Sequence, residues 1–510
     1  MPIVGIDFGT TTSAVAIAQN GVARLLPDAS GRVLLPTVVF LPEGKAPVVG
    51  VAARNRLNLS PERSFAGIKR FLGLNYRAPA AKELAHLFGV TIHRGPDDSV
   101  AFRVDGKLWS AADLTCEVFS ILRKTAALNL GKEGVRAVVT VPAGFSYVQR
   151  TALLHAAESA GIEIEQLMNE PTAAAIAYGL NTRIGQRIAV FDLGGGTFDF
   201  TILEVQESAF EVLSTTADPM LGSADIDGAL AARMADDLRT EHGLVVPRDK
   251  MGRLRPAAER MKIELSSQTH SSAAVAAKWV GVDSNQVYEV SIRREELEHI
   301  ARPLIAKCMT CVKKGLEAAQ MQAEDVDEII LVGGGALMPL VQTMNQEFFG
   351  RTPLYNIDPE RVVAIGAALW AEERDDRKDD APKPLSQTHQ LHDRSAIGLG
   401  IETVAGLIDY IIPANARVPA RGVRKFTTSK DHQESIRLKV YQGTQRRAKD
   451  CEPIGELLLD GLPSARRGEA SVTVTFVLDS NGLVLVSAVD SLSGVAREAS
   501  LQSTLQPAHA

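Results

Sequence analysis

Residues 191–200 read FDLGGGTFDF: two aspartates, Asp192 and Asp199, around three consecutive glycines and Thr197. Glycine inside a structured segment costs about 0.5–1 kcal/mol relative to alanine, so three in a row imply that something approaches the backbone closely. A phosphate is the natural candidate, because N–H groups with no Cβ in the way can point at its oxygens. A second stretch follows the same plan. VGIDFGTTTSAVAI (4–17) and AVFDLGGGTFDFTI (189–202) each give an apolar strand, an aspartate, one further residue, a glycine–threonine turn and a second strand. Two related lobes, each offering an aspartate and a hairpin, would face each other across a cleft. There Asp7 and Asp192 would hold Mg2+ through water, since magnesium keeps much of its hydration shell. The hydroxyls of Thr10, Thr11 and Thr197 would add hydrogen bonds. Taken singly, each hairpin reads equally well as a tight turn with a structural aspartate. A third glycine run, LVGGGALMPLV (331–341), follows an apolar segment and opens a helix, where an anion is favoured; taken alone, a plain strand–helix turn is the simpler reading. The phosphate loop GxxxxGK[ST] is absent.

The chain of 510 residues is too long for one hydrophobic core and implies two to four domains. Hydrophobic residues make up 45% and charged residues 23%, a globular composition. A net charge of −6 argues against general nucleic-acid binding, which needs a basic face. The four cysteines (Cys116, Cys308, Cys311, Cys451) form no disulfide framework and fit a reducing compartment. The N-terminus enters a strand directly, without the pattern of a signal peptide, and no run of about 18 apolar residues marks a membrane span. The expectation is a cytoplasmic protein with neither nucleic-acid nor membrane partners.

To about Trp370, short apolar runs alternate with helical patterns, an α/β signature. IAVFDL (188–193) suits a buried strand, and PTAAAIAYG (171–179) a packed helix. Residues 371–394 are charged, polar and poor in apolar side chains, as in a linker. Beyond them the pattern is all-β. SIRLKVYQG and SVTVTFVLD alternate strictly, and Asn481-Gly482 turns the chain into LVLVSAV, a strong hairpin signal. A small antiparallel sandwich is expected, ending in a strand end and a frayed tail. Cys308-x-x-Cys311 without a second pair cannot fill a tetrahedral zinc site.

GIDFGTTTS, IKRFLG (68–73), VPAGFSYVQR (141–150), NEPTAAAIAYG (169–179), FDLGGGTFDF, ERMKIELSS (259–267) and LVGGGALMP occur in this order. Together they resemble the heat shock protein 70 family, the DnaK-type molecular chaperones. GLGIETVAG (398–406), VYQGTQRRAKD, IGELLLDGLP and LVLVSAVD are similar to that family's β-sandwich peptide-binding domain. The resemblance spans residues 2–500. Glycolytic kinases and actins share the ATPase fold, but only this family adds the downstream β domain.

The resemblance implies a two-lobed actin/hexokinase-like α/β ATPase domain (1–370), a charged polar linker (371–394) and an all-β antiparallel sandwich (395–505); the family's helical lid is expected to be absent. It implies slow hydrolysis of ATP to ADP and phosphate, with Mg2+ and K+ as ions, extended apolar segments of unfolded proteins as partners, and a role in protein folding and the stress response. Lys69 would orient the attacking water and steady the γ-phosphate. Glu170, Asp192 and Asp199 would arrange magnesium and water. Asp7, Gly9, Thr10, Thr11, Thr197 and the backbone of Gly194, Gly195 and Gly196 would hold the phosphates. Glu259, Lys262 and Ser266 would hold the adenosine, with Gly333, Gly334 and Gly335 opposite. Pro142 and Arg150 match the relay that carries nucleotide state outwards. Ile401, Val404, Phe426, Ser429, Ile436, Leu438 and Val472 match the peptide groove, with plain sandwich core as the alternative for each.

The chain departs from the family in four places. The hydrophobic linker is replaced by HQLHD (389–393), with Leu391 its one aliphatic residue, which counts against interdomain coupling. Gln166 stands where an arginine often pairs with J-domain co-chaperones, which counts against that partner and its companion exchange factor. Leu337 replaces an arginine that stacks on adenine, and Ser223 replaces a glycine in LGSADID. A nucleotide-gated binding module for one dedicated partner, with weak or uncoupled hydrolysis, is the second reading. A small-molecule kinase is disfavoured, because it would have no use for the β domain.

Overall fold

A computed structural model describes residues 2–179, 184–207, 209–375, 390–403, 405–490 and 496–499. Its architecture is mixed α/β with several sheets. The first six-stranded sheet has the order Ile162–Asn169, Val135–Val141, Ile3–Phe8, Thr12–Gln19, Val22–Leu25, with Leu35–Pro36 beside Thr12–Gln19. Ile3–Phe8 runs parallel to Val135–Val141 and antiparallel to Thr12–Gln19. The second six-stranded sheet repeats this plan. Arg187–Leu193 runs parallel to Glu328–Val332 and antiparallel to Phe198–Val205, which pairs with Ala209–Asp218. The strands are buried along almost their whole length, as continuous apolar runs require when both faces of a sheet are covered.

Two helices, Glu170–Gly179 and Val362–Glu373, join the sheets. The alanine run 173–175 is buried, and Val362–Glu373 is apolar all round, with Trp370 fully buried. The helices cross closely enough that a Cβ on Gly366 would lie 1.7 Å from the carbonyl oxygen of Ala173. Each glycine hairpin hangs at the end of one sheet, and this small-residue seam sets the distance between them.

From Gln390 onward the described elements are strands and one short 3-10 turn, Ala448–Asp450. Two four-stranded sheets enclose a core of Leu399, Val440, Val474, Phe476 and Val486. The hairpin expected at Asn481-Gly482 joins Ser471–Leu478 to Val484–Asp490. Its turn is built on Asp479, which accepts from the N–H groups of Asn481 and Leu483. Ala496–Ala499 forms an edge strand on Val484–Asp490.

The stretch 371–394 differs from a plain polar linker. Helix Val362–Glu373 continues into it, and Gln390–Arg394 is a strand; residues 376–389 lie outside the described residues. This strand lies parallel on Ala209–Asp218, with Leu391 beside Phe210, and adds a fifth strand to the second sheet. Main-chain hydrogen bonds hold it, so the polar side chains of Gln390 and His392 do not prevent docking. Among the described residues no helix is long and apolar enough to cross a membrane.

Candidate functional site

The two hairpins meet across a cleft of about 560 Å3 lined by Asp7, Gly9, Thr10, Thr11, Lys69, Glu170, Asp192, Gly194, Gly195, Thr197, Gly333 and Gly334. Their approach explains two of the three glycines. A Cβ on Gly195 would sit 2.2 Å from Thr11 Oγ1, and one on Gly196 2.7 Å from Thr10 Oγ1 and from Arg70 Cγ. The opposite hairpin, as much as any ligand, excludes side chains here. The N–H groups of Gly195 and Gly196 donate to no protein acceptor among the described residues, which leaves them for an anion. Gly195→Ala is expected to destabilise the protein by about 1–3 kcal/mol. Removing the obstructing hydroxyl with Thr11→Ala should restore most of that, as read from thermal midpoints of the single and double variants.

Lys69 sits on the short helix Ile68–Phe71, which starts from Gly67 at φ 66°. Its Nζ lies 2.5 Å from Glu170 Oε1, and 5.7 and 5.5 Å from the rings of Phe8 and Phe145. Only 2% of Lys69 is exposed. It is the one cationic side chain lining the cleft among the described residues. Around it stand four carboxylates. Burial, then the charge of Glu170, pushes Asp7 up to about 7, and the same two causes push Asp199 up to about 7. Burial with Glu170, Asp199 and Asp7 raises Asp192 well above the carboxylate range. Thr140 donates to Asp7 at 3.1 Å and the N–H of Gly144 to Asp199 at 3.2 Å. The other oxygen of Asp199 is buried without a hydrogen-bond partner.

Such an excess of buried negative charge fits a divalent cation. Among the described residues no three His, Cys, Asp or Glu side chains converge closely enough to ligate an ion directly. The donor set therefore fits Mg2+ held through water by Asp7 and Asp192. A consequence for stability follows. The folded chain binds protons on Asp7 and Asp199 up to about pH 7, whereas unfolded carboxylates release theirs near pH 4. Without a cation, the unfolding free energy should thus fall as pH rises from about 5 to about 7. Urea midpoints in chelator should drop across this window, and Mg2+ with ADP should flatten the slope; a rising midpoint in chelator would contradict it.

Of the residues expected around adenosine, Gly333 and Gly334 line the cleft, whereas Glu259, Lys262, Ser266 and Gly335 stand outside its lining. Lys262 Nζ is bound to Asp227 at 2.7 Å and donates to the carbonyl of Ser223 at 3.2 Å. Glu259 pairs with Arg54 at 3.5 Å, and Ser266 donates to the carbonyl of Lys262. Gly333 has φ 79°, and Gly335 is packed on Leu193. Leu337 is 39% exposed. The cleft also contains Ser223, Pro359 and Glu360. No local motif marks Pro359 or Glu360, which enter from the turn before helix Val362–Glu373.

Behind Glu170 a chain of hydrogen bonds leads outwards. Arg150 donates to Asn169 Oδ1 at 2.8 Å, to the carbonyls of Phe145 and Pro142, and to that of Asn481 at 3.2 Å. Asn169 and Thr172 donate to Asp393 Oδ2 at 3.0 and 3.2 Å. Gln442 accepts from the N–H of Tyr147 at 2.7 Å, and Asn481 Oδ1 from that of Leu167 at 3.0 Å. Arg150 thus stands beside both the docked strand and the β-sandwich turn, and Pro142 meets it through its carbonyl at 3.5 Å. Gln166 is held internally, accepting from Trp370 Nε1 at 2.9 Å.

The groove assignments fare differently. Ile401, Ile436, Leu438 and Val472 fill the sandwich interior and are nearly inaccessible. The inward phase of the strand alternation is shared by core and groove residues, and here it points to core. Phe426 is half-buried; Ser429 is exposed, with its N–H bound to Gln433. Val404 lies outside the described residues.

A family model described as Hsp70 protein matches residues 3–508. That match covers nearly the whole chain and both sets of motifs, so the chain belongs to the Hsp70 family, whose members are ATPases that bind ATP or ADP with Mg2+ and act as chaperones on unfolded polypeptides.

Proposed function

We propose that this chain is an ATP-hydrolysing chaperone in which a nucleotide-binding unit (1–370), through the segment 371–394, governs a peptide-binding sandwich (395–505). The observation that carries the reading is the buried Lys69–Glu170 pair among Asp7, Asp192 and Asp199, facing two glycine hairpins. Phosphoryl transfer needs little beyond positioning and charge neutralisation. Lys69 steadies the γ-phosphate and orients water; Glu170 and Asp199 arrange that water; Thr197, Thr10 and Thr11 hold phosphate oxygens with the N–H groups of Gly195 and Gly196. Mg2+, when bound, offsets the phosphate charge. Glu259, Lys262 and Ser266 reach the adenosine once Lys262 and Glu259 exchange their present partners. Extended polypeptide is the partner of the sandwich, and a cytoplasmic role in protein folding under stress belongs to the same proposal. Arg150, Asn169 and Asp393 carry nucleotide state to the sandwich.

Gln166 is engaged with Trp370, so a J-domain partner would need another contact. The second reading, a nucleotide-gated module for one dedicated partner, is favoured by the closed sandwich interior around Ile401, Ile436, Leu438 and Val472. Phosphate release with no second substrate separates these readings from a kinase. Slow basal hydrolysis is expected, and its absence in the presence of Mg2+ and ATP would overturn the ATPase assignment.

A further inference from the structure

A second and larger cleft, about 850 Å3, lies on the far side of Lys69's own helix. Lys69 faces the nucleotide cleft, while its neighbour Arg70 lines this other one with Leu84, Leu87, Met220, Met251 and Arg255. The walls come from helix Pro79–Phe88 on one side and from Ser223–His242 and the turn Arg248–Arg253 on the other. Those two sides touch where Gly89 meets Gly252. The lining combines apolar side chains with two buried guanidiniums, Asp225, Glu83 and His86.

Both guanidiniums have donor capacity to spare. Arg70 is 4% exposed, and its Nε is buried with no hydrogen-bond partner. Its other contacts are the carbonyl of Met220 at 2.7 Å and Asp225 at 3.2–3.3 Å. The Arg255 side chain, 6% exposed, makes no hydrogen bond among the described residues. Its ion pair to Asp227 is long, 3.6 Å, and Asp227 is already held by Lys262 at 2.7 Å. The face of the Arg255 guanidinium lies 4.5 Å from the Phe88 ring centroid. The charged lining is balanced, Arg70 and Arg255 against Asp225 and the exposed Glu83, with Asp218, Asp227 and Glu259 acting from nearby; an anion would be held here by direct guanidinium hydrogen bonds and not by a net positive field. Burial, above all, holds the Arg70 guanidinium below its ordinary value, and Arg255 adds to that.

We propose that this cleft is a binding site for a flat apolar monocarboxylate, its carboxylate on Arg255 and Arg70 and its apolar body among Leu84, Leu87, Met220 and Met251. A charge-assisted hydrogen bond to guanidinium is about twice as strong as a neutral one, so the anion rather than its neutral isostere is selected. The ligand touches both sides of the cleft and holds them together. If the nucleotide reading above is correct, it therefore slows nucleotide release.

The test uses the full chain and naphthalene-2-carboxylate, with naphthalene-2-carboxamide as neutral twin, titrated by calorimetry. The acid is expected to bind about tenfold or more tightly than the amide. Arg255→Met should weaken it to a similar degree, and Met251→Trp, which fills the cleft, should abolish binding. Thermal melts check that each variant is folded. Equal binding of acid and amide, no binding of the acid up to millimolar concentration, or full binding to Met251→Trp would overturn the proposal and leave the nucleotide reading untouched. Saturating acid should slow release of a prebound fluorescent ADP analogue about threefold or more; binding with unchanged release would overturn the bridging of the two sides.

Discussion

Replacing Lys69 by alanine is expected to lower ATP hydrolysis by about 10²–10³-fold, the range found when one preorganised electrostatic donor is removed. Nucleotide affinity should stay within a few-fold, because the hairpin N–H groups, Thr10, Thr11 and Thr197 remain. Lys69 is the one cation lining the cleft among the described residues, fixed by Glu170 at 2.5 Å and by two aromatic rings. Removing it also leaves the Glu170 carboxylate buried without its partner, which destabilises by about 3 kcal/mol or more. Activity must therefore be compared under conditions where circular dichroism shows the variant folded. Lys69→Arg should not rescue turnover, since a planar fork cannot replace a compact ammonium in that slot. Single-turnover hydrolysis within tenfold of the parent chain would remove Lys69 from the reaction.

The second large effect concerns the docked strand. Asp393→Ala should reduce ATP-stimulated peptide release to within about twofold of the rate without ATP, while basal hydrolysis persists. Asp393 Oδ2 accepts from Asn169 and Thr172, and Asn169 is also bound by Arg150, which reaches the carbonyl of Asn481 in the sandwich turn. Asn169 directly precedes Glu170 in the chain. Each hydrogen bond to a charged group contributes about 1.5–3 kcal/mol, so losing the carboxylate cuts the link from Asn169 and Thr172 to the docked strand while its main-chain pairing remains. Burial raises the Asp393 carboxyl above its ordinary value, and its hydrogen bonds from Arg394 and Asn169 oppose that shift. Unimpaired ATP-stimulated release in Asp393→Ala would show that coupling runs by another route.

The hairpins and the repeated strand plan were legible in the sequence because apolar runs interrupted by Asp-x-Gly and threonine leave few alternatives. The reason for Gly195 and Gly196 was only half legible: phosphate binding was expected, whereas packing on Thr10 and Thr11 depends on two segments about 185 residues apart in the chain. Docking of Gln390–Arg394 was hidden because strand pairing uses main-chain groups, and a polar HQLHD carries no hydrophobic signal. For Ile401, Ile436, Leu438 and Val472 the sequence left groove wall and interior both open. Period-two alternation marks the inward face but cannot tell a groove wall from a core. Thr140 and Glu360 reach the site from the ends of distant elements, where no spacing rule applies.

The central claim, that the nucleotide cleft governs the sandwich through the docked strand, is tested most directly by the dissociation of a short fluorescent leucine-rich peptide from the purified chain, with and without ATP. ATP should accelerate release, and Thr197→Ala or Lys69→Ala should blunt the effect. Peptide release that is identical with and without ATP would contradict it and leave the nucleotide-gated module with no gate.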